Sequence, residues 1–366
     1  MKILTVIIAA LILLFSSVTQ VGAEEYDLSK VYNSLSDEAR QSMQAIGADS
    51  ADASALSDIT PGSIAGEISR LASEQASAPL KALINITAIL LIAAMLCAYK
   101  NTLSQEVGDT LNTASALCIS CAVVSPAVGL IGQAQTVIVS ASNLMLAYVP
   151  IMAVLLAAGG RAVGSGSYYA SVLLTGEGVS SLCSKVVVPF LNLFLGLSIV
   201  SGVTPQVNLS GLTSLISKLF KWLMGFAMAV FTSVTGLRGL LSDSLDTVSG
   251  RAVRFAVSSF IPVVGSALAD AYKTVQGSMG LLKSGVGVFV IIAVAFTFLP
   301  VLLQSMLWAA ALWVGRLTAE ALRLDRAGKL LDGLAAVFST VIALLLCVMT
   351  IFIISTAVVL LTGGSS

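Results

Sequence analysis

Three lysines stand in otherwise apolar sequence, where a charged side chain is costly. Lys185 lies near the start of one apolar stretch, and Lys218 and Lys221 lie in the first half of the next. Charged residues within a bilayer often mark a substrate or ion pathway. Two hypotheses follow: the lysines line a pore or substrate path, or their stems extend so that the ammonium groups reach the lipid headgroups.

A C-x-x-C pair, Cys118 and Cys121, could form a redox or metal site. The chain has five cysteines and no histidine, which excludes Ser-His-Asp triads, Cys-His pairs and His-ligated metals. The pair lies in an apolar stretch, and we interpret it as small residues at a helix–helix contact. The sequence also lacks the H-E-x-x-H, G-x-S-x-G and phosphate-loop patterns. We therefore expect no enzymatic activity, no catalytic residue, no metal and no cofactor.

Prolines interrupt several apolar stretches, and two of them precede an amide side chain. Pro189 is followed by Asn192, and Pro300 by Gln304. Each proline removes a helix hydrogen bond, and broken helices often line transporter sites. The likeness indicates an internal repeat, or chance in an apolar sequence. The candidate pore or packing positions are Lys185, Lys218, Lys221, Pro189, Pro262, Gly265, Pro300 and Gln304.

The composition indicates which elements position these residues. Hydrophobic residues make up 57% of the 366 and charged residues 10%, and the mean hydropathy is +0.98. Soluble domains carry roughly 25% charged residues, so most of this surface must face the lipid bilayer. The formal net charge is zero, and we expect no nucleic-acid partner. The predicted fold is all-α, a polytopic α-helical membrane protein. Its 30 glycines permit close helix packing and are compatible with a homo-oligomer.

The first 23 residues have the pattern of a secretory signal. Lys2 provides the basic start, Ile3–Phe15 is a short apolar core, and Val21-Gly22-Ala23 places small residues at a cleavage site. We predict a cleavable signal peptide over residues 1–23; the alternative is an uncleaved first transmembrane helix. Either outcome places the next segment outside the cytoplasm if the signal inserts in the usual loop orientation.

Residues 24–79 form an acidic segment with ten acidic and three basic side chains, a net charge of −7. Translocated segments tend to lack Lys and Arg, which agrees with an extracytoplasmic location. We expect this short segment to be helical or partly disordered.

Residues 80–366 are predicted to form the transmembrane helical domain, with seven or eight spans of about 20 residues each. The seven clearer spans are Leu80–Tyr99, Leu111–Ile131, Thr136–Ala158, Val179–Val203, Leu212–Leu237, Gly285–Val314 and Leu334–Leu361. An eighth stretch, Phe255–Leu268 within 240–283, is interrupted by Pro262 and Gly265. It is short enough to be re-entrant or interfacial.

The segment Arg316–Asp332 bears on that choice because it is basic and amphipathic. Basic loops prefer the cytoplasmic side, and this one lies there only if Phe255–Leu268 crosses the bilayer, which we favour. Arg316 and Glu320 are four residues apart, as are Asp325 and Lys329, and each pair can form on a helix. We predict one interfacial helix over the segment.

A family resemblance rests on the stretch Arg251–Ala271, which reads RAVRFAVSSFIPVVGSALADA. Its F-[IV]-P-V-V-G core, Phe260–Gly265, is followed by Ala269-Asp270 and Thr274-Val275. This block, the signal peptide with its acidic segment and the order of the spans resemble the stage III sporulation protein AE family. The resemblance covers the chain from about residue 80 to the end.

The resemblance implies a membrane component of the channel-like complex between mother cell and forespore, required for late forespore gene expression. It implies a multi-pass location in the mother-cell membrane around the forespore, with a permease-like part as one role. The implied partners are the other stage III A sporulation proteins, the forespore stage II Q protein and a YidC-like insertase. No catalytic residue is assigned in the family. The alternative function is a stand-alone secondary transporter of a small solute.

Overall fold

The computed structural model describes residues 29–48, 59–98, 105–158, 162–204, 210–260 and 265–361. The predicted signal peptide lies outside these ranges, as does Pro262. Within them, regular structure is helical. The elements are α1 Ser29–Asn33, α2 Asp37–Ala45, α3 Pro61–Ala98, α4 Gln105–Ala158, α5 Ala162–Leu182, a π-helical turn Cys183–Val187, α6 Val188–Val203, α7 Ser210–Phe260, α8 Gly265–Ala321 and α9 Asp325–Leu361.

The short helix α2 in the acidic segment has a defined cap at each end. The amide N–H of Ala39 donates to Ser36 Oγ at 3.3 Å, which satisfies one open donor of the first turn. At the other end Gly47 has φ +90°. The Gly47 and Ala48 amides donate to the carbonyls of Gln44 and Met43, at 3.0 and 2.8 Å. This is a Schellman motif, so part of the acidic segment is ordered by local chemistry.

Six helices among the described residues are long and apolar enough to cross a membrane, which agrees with the polytopic α-helical fold. They are Pro61–Cys97, Asn112–Ala157, Gly176–Val203, Gly211–Arg238, Gly285–Ala321 and Asp325–Val358. Seven or eight spans were predicted. The difference arises in α4, a single helix of 54 residues that contains both Leu111–Ile131 and Thr136–Ala158. The polar residues between these two spans lower the hydropathy as a loop would, but they form helix without a turn.

The π-helical turn Cys183–Val187 lies between α5 and α6 and has a local cause in Pro189. Proline has no N–H and its ring clashes with the carbonyl four residues earlier, here that of Lys185. The helix widens before the proline, and the Val188 amide donates to the Cys183 carbonyl five residues back. Pro189 is the second residue of α6, and because the helix continues through the π-helical turn, the wider turn makes room for its ring.

The hairpin of α8 and α9 forms the centre of the bundle. In the most apolar 18-residue stretch of each helix, 78% of the residues are buried in α8 and 61% in α9. The corresponding shares are 22% in α3 and 17% in α7. Helices α3 and α4 pack against α8, while α6 and α7 pack against α9. The outer helices α3 and α7 therefore present most of the apolar surface that faces lipid or other proteins.

Small residues allow α6 and α9 to approach closely and run antiparallel. A Cβ at Gly202 would lie 2.6 Å from Leu330 Cβ and 2.8 Å from Leu330 Cα. A Cβ at Gly333 would lie 3.2 Å from Ser198 Cβ. Glycine is required at Gly202 because the neighbouring backbone occupies the space of a side chain, as in other membrane helix pairs.

The turn between α8 and α9 shows that the single interfacial helix predicted over Arg316–Asp332 is wrong. Helix α8 ends at Ala321, and Arg323 follows with φ 57°. The amides of Arg323 and Leu324 donate to the carbonyls of Glu320 and Ala319, at 3.1 and 2.9 Å. This second Schellman motif is sealed by the buried side chains of Ala319 and Leu324. The residue with positive φ is an arginine and not a glycine, so the sequence does not indicate a helix end here.

Of the two charge pairs predicted near this turn, Arg316 with Glu320 is confirmed and extends across it, whereas Asp325 and Lys329 do not pair among the described residues. Arg316 Nε donates to Glu320 Oε1 at 2.8 Å within α8. The same guanidinium also pairs with Asp332 of α9. These side chains are partly exposed, so the pairs add a modest cross-link at the closed end of the hairpin.

We expect Gly202→Ala to lower the free energy of unfolding by about 1–3 kcal/mol, because the new methyl group forces α6 away from the Leu330 backbone. The matched control is Gly196→Ala on the same helix, where a Cβ meets nothing within 4 Å. That change should be neutral or slightly stabilising, since alanine favours helix. Denaturant titration in mixed micelles measures both variants. Equal effects would show that α6 and α9 are not in close contact.

We expect Arg323→Gly to raise the free energy of unfolding by about 1 kcal/mol, because glycine adopts the left-handed conformation without a Cβ clash. Arg323→Ala removes the same guanidinium but keeps the Cβ, so it should give no such gain. The same titration compares the two. If both variants shift stability alike, the charge and not the backbone conformation accounts for the change.

Candidate functional site: a polar seam and an apolar cleft along α7

A line of hydrogen bonds joins α7 to α9 in otherwise apolar surroundings. Ser217 Oγ and Thr340 Oγ1 are 3.2 Å apart and both side chains are buried. One turn further along α7, Lys221 Nζ donates to Ser339 Oγ at 2.8 Å. Hydrogen bonds of this kind hold helices together where water does not compete for them.

A third contact continues the same line. Cys347 Sγ donates to the backbone carbonyl of Met224 at 3.4 Å. Ser217 and Met224 are seven residues apart, as are Thr340 and Cys347, so α7 and α9 run parallel and in register over two turns. We call the six residues of these three contacts the polar seam.

An apolar cleft of about 370 Å³ lies beside the polar seam. Its walls come from the end of α5 with the π-helical turn, from α7 and from α9. Cys183 and Cys347 contribute thiols to the walls, and Thr235 and Arg238 contribute the polar groups furthest along α7. Arg238 is the charged residue among the described residues of the lining. The cleft is of ligand-binding size and, like most ligand pockets, has a mainly apolar lining with few polar groups.

The structure separates the three predicted lysines. Lys185 is exposed in the π-helical turn, four residues before the equally exposed Pro189. Lys218 is exposed on α7, and within the part of the chain that the structure describes it has no bonding partner. Lys221, one turn later, joins the polar seam. A helix-joining role for Lys221 is a third hypothesis beside pore lining and extension to the headgroups.

The remaining predicted positions lie apart from the polar seam. Pro300 is buried inside α8, and Gln304 is half-buried one turn later. Gly265 is the first residue of α8. Pro189 follows a π-helical turn on the surface whereas Pro300 lies in regular helix, so the two segments of the suggested repeat have different surroundings.

Cys118 and Cys121 are free and exposed, so the interpretation of this pair as a helix–helix contact within the chain is wrong. The buried face of α4 runs through Ala116, Ile119 and Val123 instead. Across the described residues, no three His, Cys, Asp or Glu side chains come together as a metal site would require.

The seam residues Ser217, Ser339 and Thr340 were not among the predicted positions. Each is a hydroxyl in an apolar stretch, which is a general signal of helix contact in membranes. The spacing of Ser217 and Lys221, four residues apart on one helix face, was available in the sequence. The partner on α9 was not, because a single chain shows no pairing between segments 118 residues apart.

We expect a double-mutant cycle between Lys221→Met and Ser339→Ala to give a coupling energy of about 1 kcal/mol, in the range of interhelical hydrogen bonds in membranes. Methionine keeps the apolar stem while removing the donor. Lys218→Met combined with Ser339→Ala is the matched control and should give no coupling. Unfolding in mixed micelles measures both cycles. Equal coupling in the two would contradict a specific Lys221–Ser339 bond.

Comparison with known proteins agrees with the resemblance. The family model for stage III sporulation protein AE matches residues 53–363. The stage III sporulation protein AE of Bacillus subtilis (strain 168) is 27% identical over 241 residues, which are 64% of this chain and 59% of that protein. No solved structure matches the chain. Because the family model spans most of the sequence, the chain belongs to the stage III sporulation protein AE family.

Proposed function

We propose that this protein is a membrane component of the channel-like complex between mother cell and forespore, and that late forespore gene expression depends on it. Membership of a sporulation family carries the proposal. The chain spans somewhat less than two thirds of the curated relative's length. Its place in a complex therefore belongs to the proposal and does not follow from the match alone. The proposed location is the mother-cell membrane around the forespore.

The length of the helices supports a role that reaches beyond the bilayer. Helices α4, α7 and α8 contain 54, 51 and 57 residues. At 1.5 Å per residue each is about 75–85 Å long, against a hydrocarbon core of about 30 Å. Even strongly tilted, these helices extend outside the bilayer. Such extensions offer contact surfaces to the proposed partners, the other stage III A proteins, the forespore stage II Q protein and a YidC-like insertase.

The cleft favours an assembly component over a stand-alone transporter of a polar solute. Sites for polar solutes combine several convergent polar groups in an enclosed pocket. The lining described above is mostly apolar, with Arg238 as its charged residue. If the protein acts as the permease-like part of the complex, the path requires surfaces contributed by partners or by further copies of the chain.

We expect the full-length tagged protein, purified in mild detergent from sporulating cells of its own species, to carry other stage III A proteins with it. We also expect deletion of its gene to abolish expression of a late forespore reporter, with restoration by the wild-type gene. Purification from vegetative cells expressing the tagged chain is the control. A protein that purifies alone and drives solute uptake into liposomes would overturn the proposal in favour of a transporter.

A further inference from the structure

The apolar cleft beside α7 opens to the side of the bundle. Leu182 and Val234 on its walls are 51% and 44% exposed, and Ala227 between them is exposed as well. In a bilayer an opening lined by such residues faces the acyl chains of lipids. Its volume of about 370 Å³ is less than that of a single α-helical turn, which is about 10 Å across and about 5.4 Å long. A single flexible hydrocarbon chain fits these dimensions better than a helix of a partner.

The polar end of the cleft is suited to a phosphate group. Arg238 ends the apolar stretch of α7, which places its guanidinium near the headgroups, and its side chain is exposed. A guanidinium presents a planar fork of donors that matches two phosphate oxygens. Thr235 lies three residues earlier on the same helix face and adds a hydroxyl donor. Basic pockets between membrane helices bind anionic lipid headgroups in this way.

We propose that the cleft binds an anionic phospholipid, with one acyl chain between α5, α7 and α9 and the phosphate on Arg238 and Thr235. The ligand would contact three helices at once, in addition to the packing and the polar seam that already join α7 to α9. Cys183, Val187 and Val348 of the lining are already buried by the protein, so the lipid would cover the exposed mouth residues Leu182, Ala227 and Val234. The proposal concerns lipid binding alone and stands independently of the sporulation complex.

The test is native mass spectrometry of the delipidated full-length protein in detergent. We expect phosphatidylglycerol to bind at least tenfold more tightly than phosphatidylcholine with the same acyl chains. Arg238→Gln should weaken phosphatidylglycerol binding about tenfold, the effect of losing one charge-assisted contact. Lys218→Gln removes an exposed charge elsewhere on α7 and should leave binding unchanged. Equal binding of the two lipids, or of wild type and Arg238→Gln, overturns the proposal.

A second variant separates the cleft from general attraction between charges. Ala227→Phe fills the exposed mouth while Arg238 is kept, and we expect it to abolish binding of phosphatidylglycerol. Its thermal unfolding midpoint in the absence of lipid should match that of wild type, which shows that the fold is retained. Inorganic phosphate alone should not compete. Undiminished binding to a folded Ala227→Phe variant, or displacement of the lipid by inorganic phosphate, would show that the cleft does not hold the acyl chain.

Discussion

Close packing around the hairpin of α8 and α9 is the constraint on which the rest of this structure depends. In a bilayer the hydrophobic effect does not drive helices together, so contact area, small residues and hydrogen bonds must do so. The hairpin is closed by the Schellman motif at Arg323, which sets the two helices side by side. Helix α6 then fits against α9 because Gly202 leaves room for Leu330. Helix α3 fits against the other face, where Gly315 admits Ile86.

The polar seam complements this packing where no glycine contact is available. Each interhelical hydrogen bond in a membrane contributes about 0.6 kcal/mol on average, so the three contacts do not dominate stability. Their value is specificity, because only one register of α7 on α9 pairs Ser217 with Thr340 and Lys221 with Ser339 at once. A shift by one residue would break both pairs, while Thr340 Oγ1 would keep its bond to the Ala336 carbonyl within α9 at 2.8 Å.

Hydropathy was sufficient to predict the class of fold and most of the apolar segments, because a bilayer admits few solutions besides helices. It failed where continuity mattered. The polar residues between Ile131 and Thr136 lower the local hydropathy as a loop would, yet they have no strong tendency to break a helix, and α4 continues through them. The π-helical turn and the exposed pair Cys118 and Cys121 also escaped prediction. The turn has a local cause in Pro189, but proline more often only kinks a helix. The exposure of the cysteines depends on which face of α4 meets a neighbour, and a single sequence does not carry that information.

The same limits explain why lysines were visible in the sequence while their roles were not. Lys218 and Lys221 lie on the same helix and carry the same charge. The helix rotates between the two positions, so that only Lys221 is directed towards α9. Helix α7 is thus fixed on one side by the polar seam and left with a broad apolar surface on the other, where Trp222 stacks on Phe226 at 5.6 Å. A helix whose apolar surface is largely exposed is the one whose surroundings most affect its position. Lipid in the adjacent cleft and protein on its outer face would therefore act on α7 before they act on the buried hairpin.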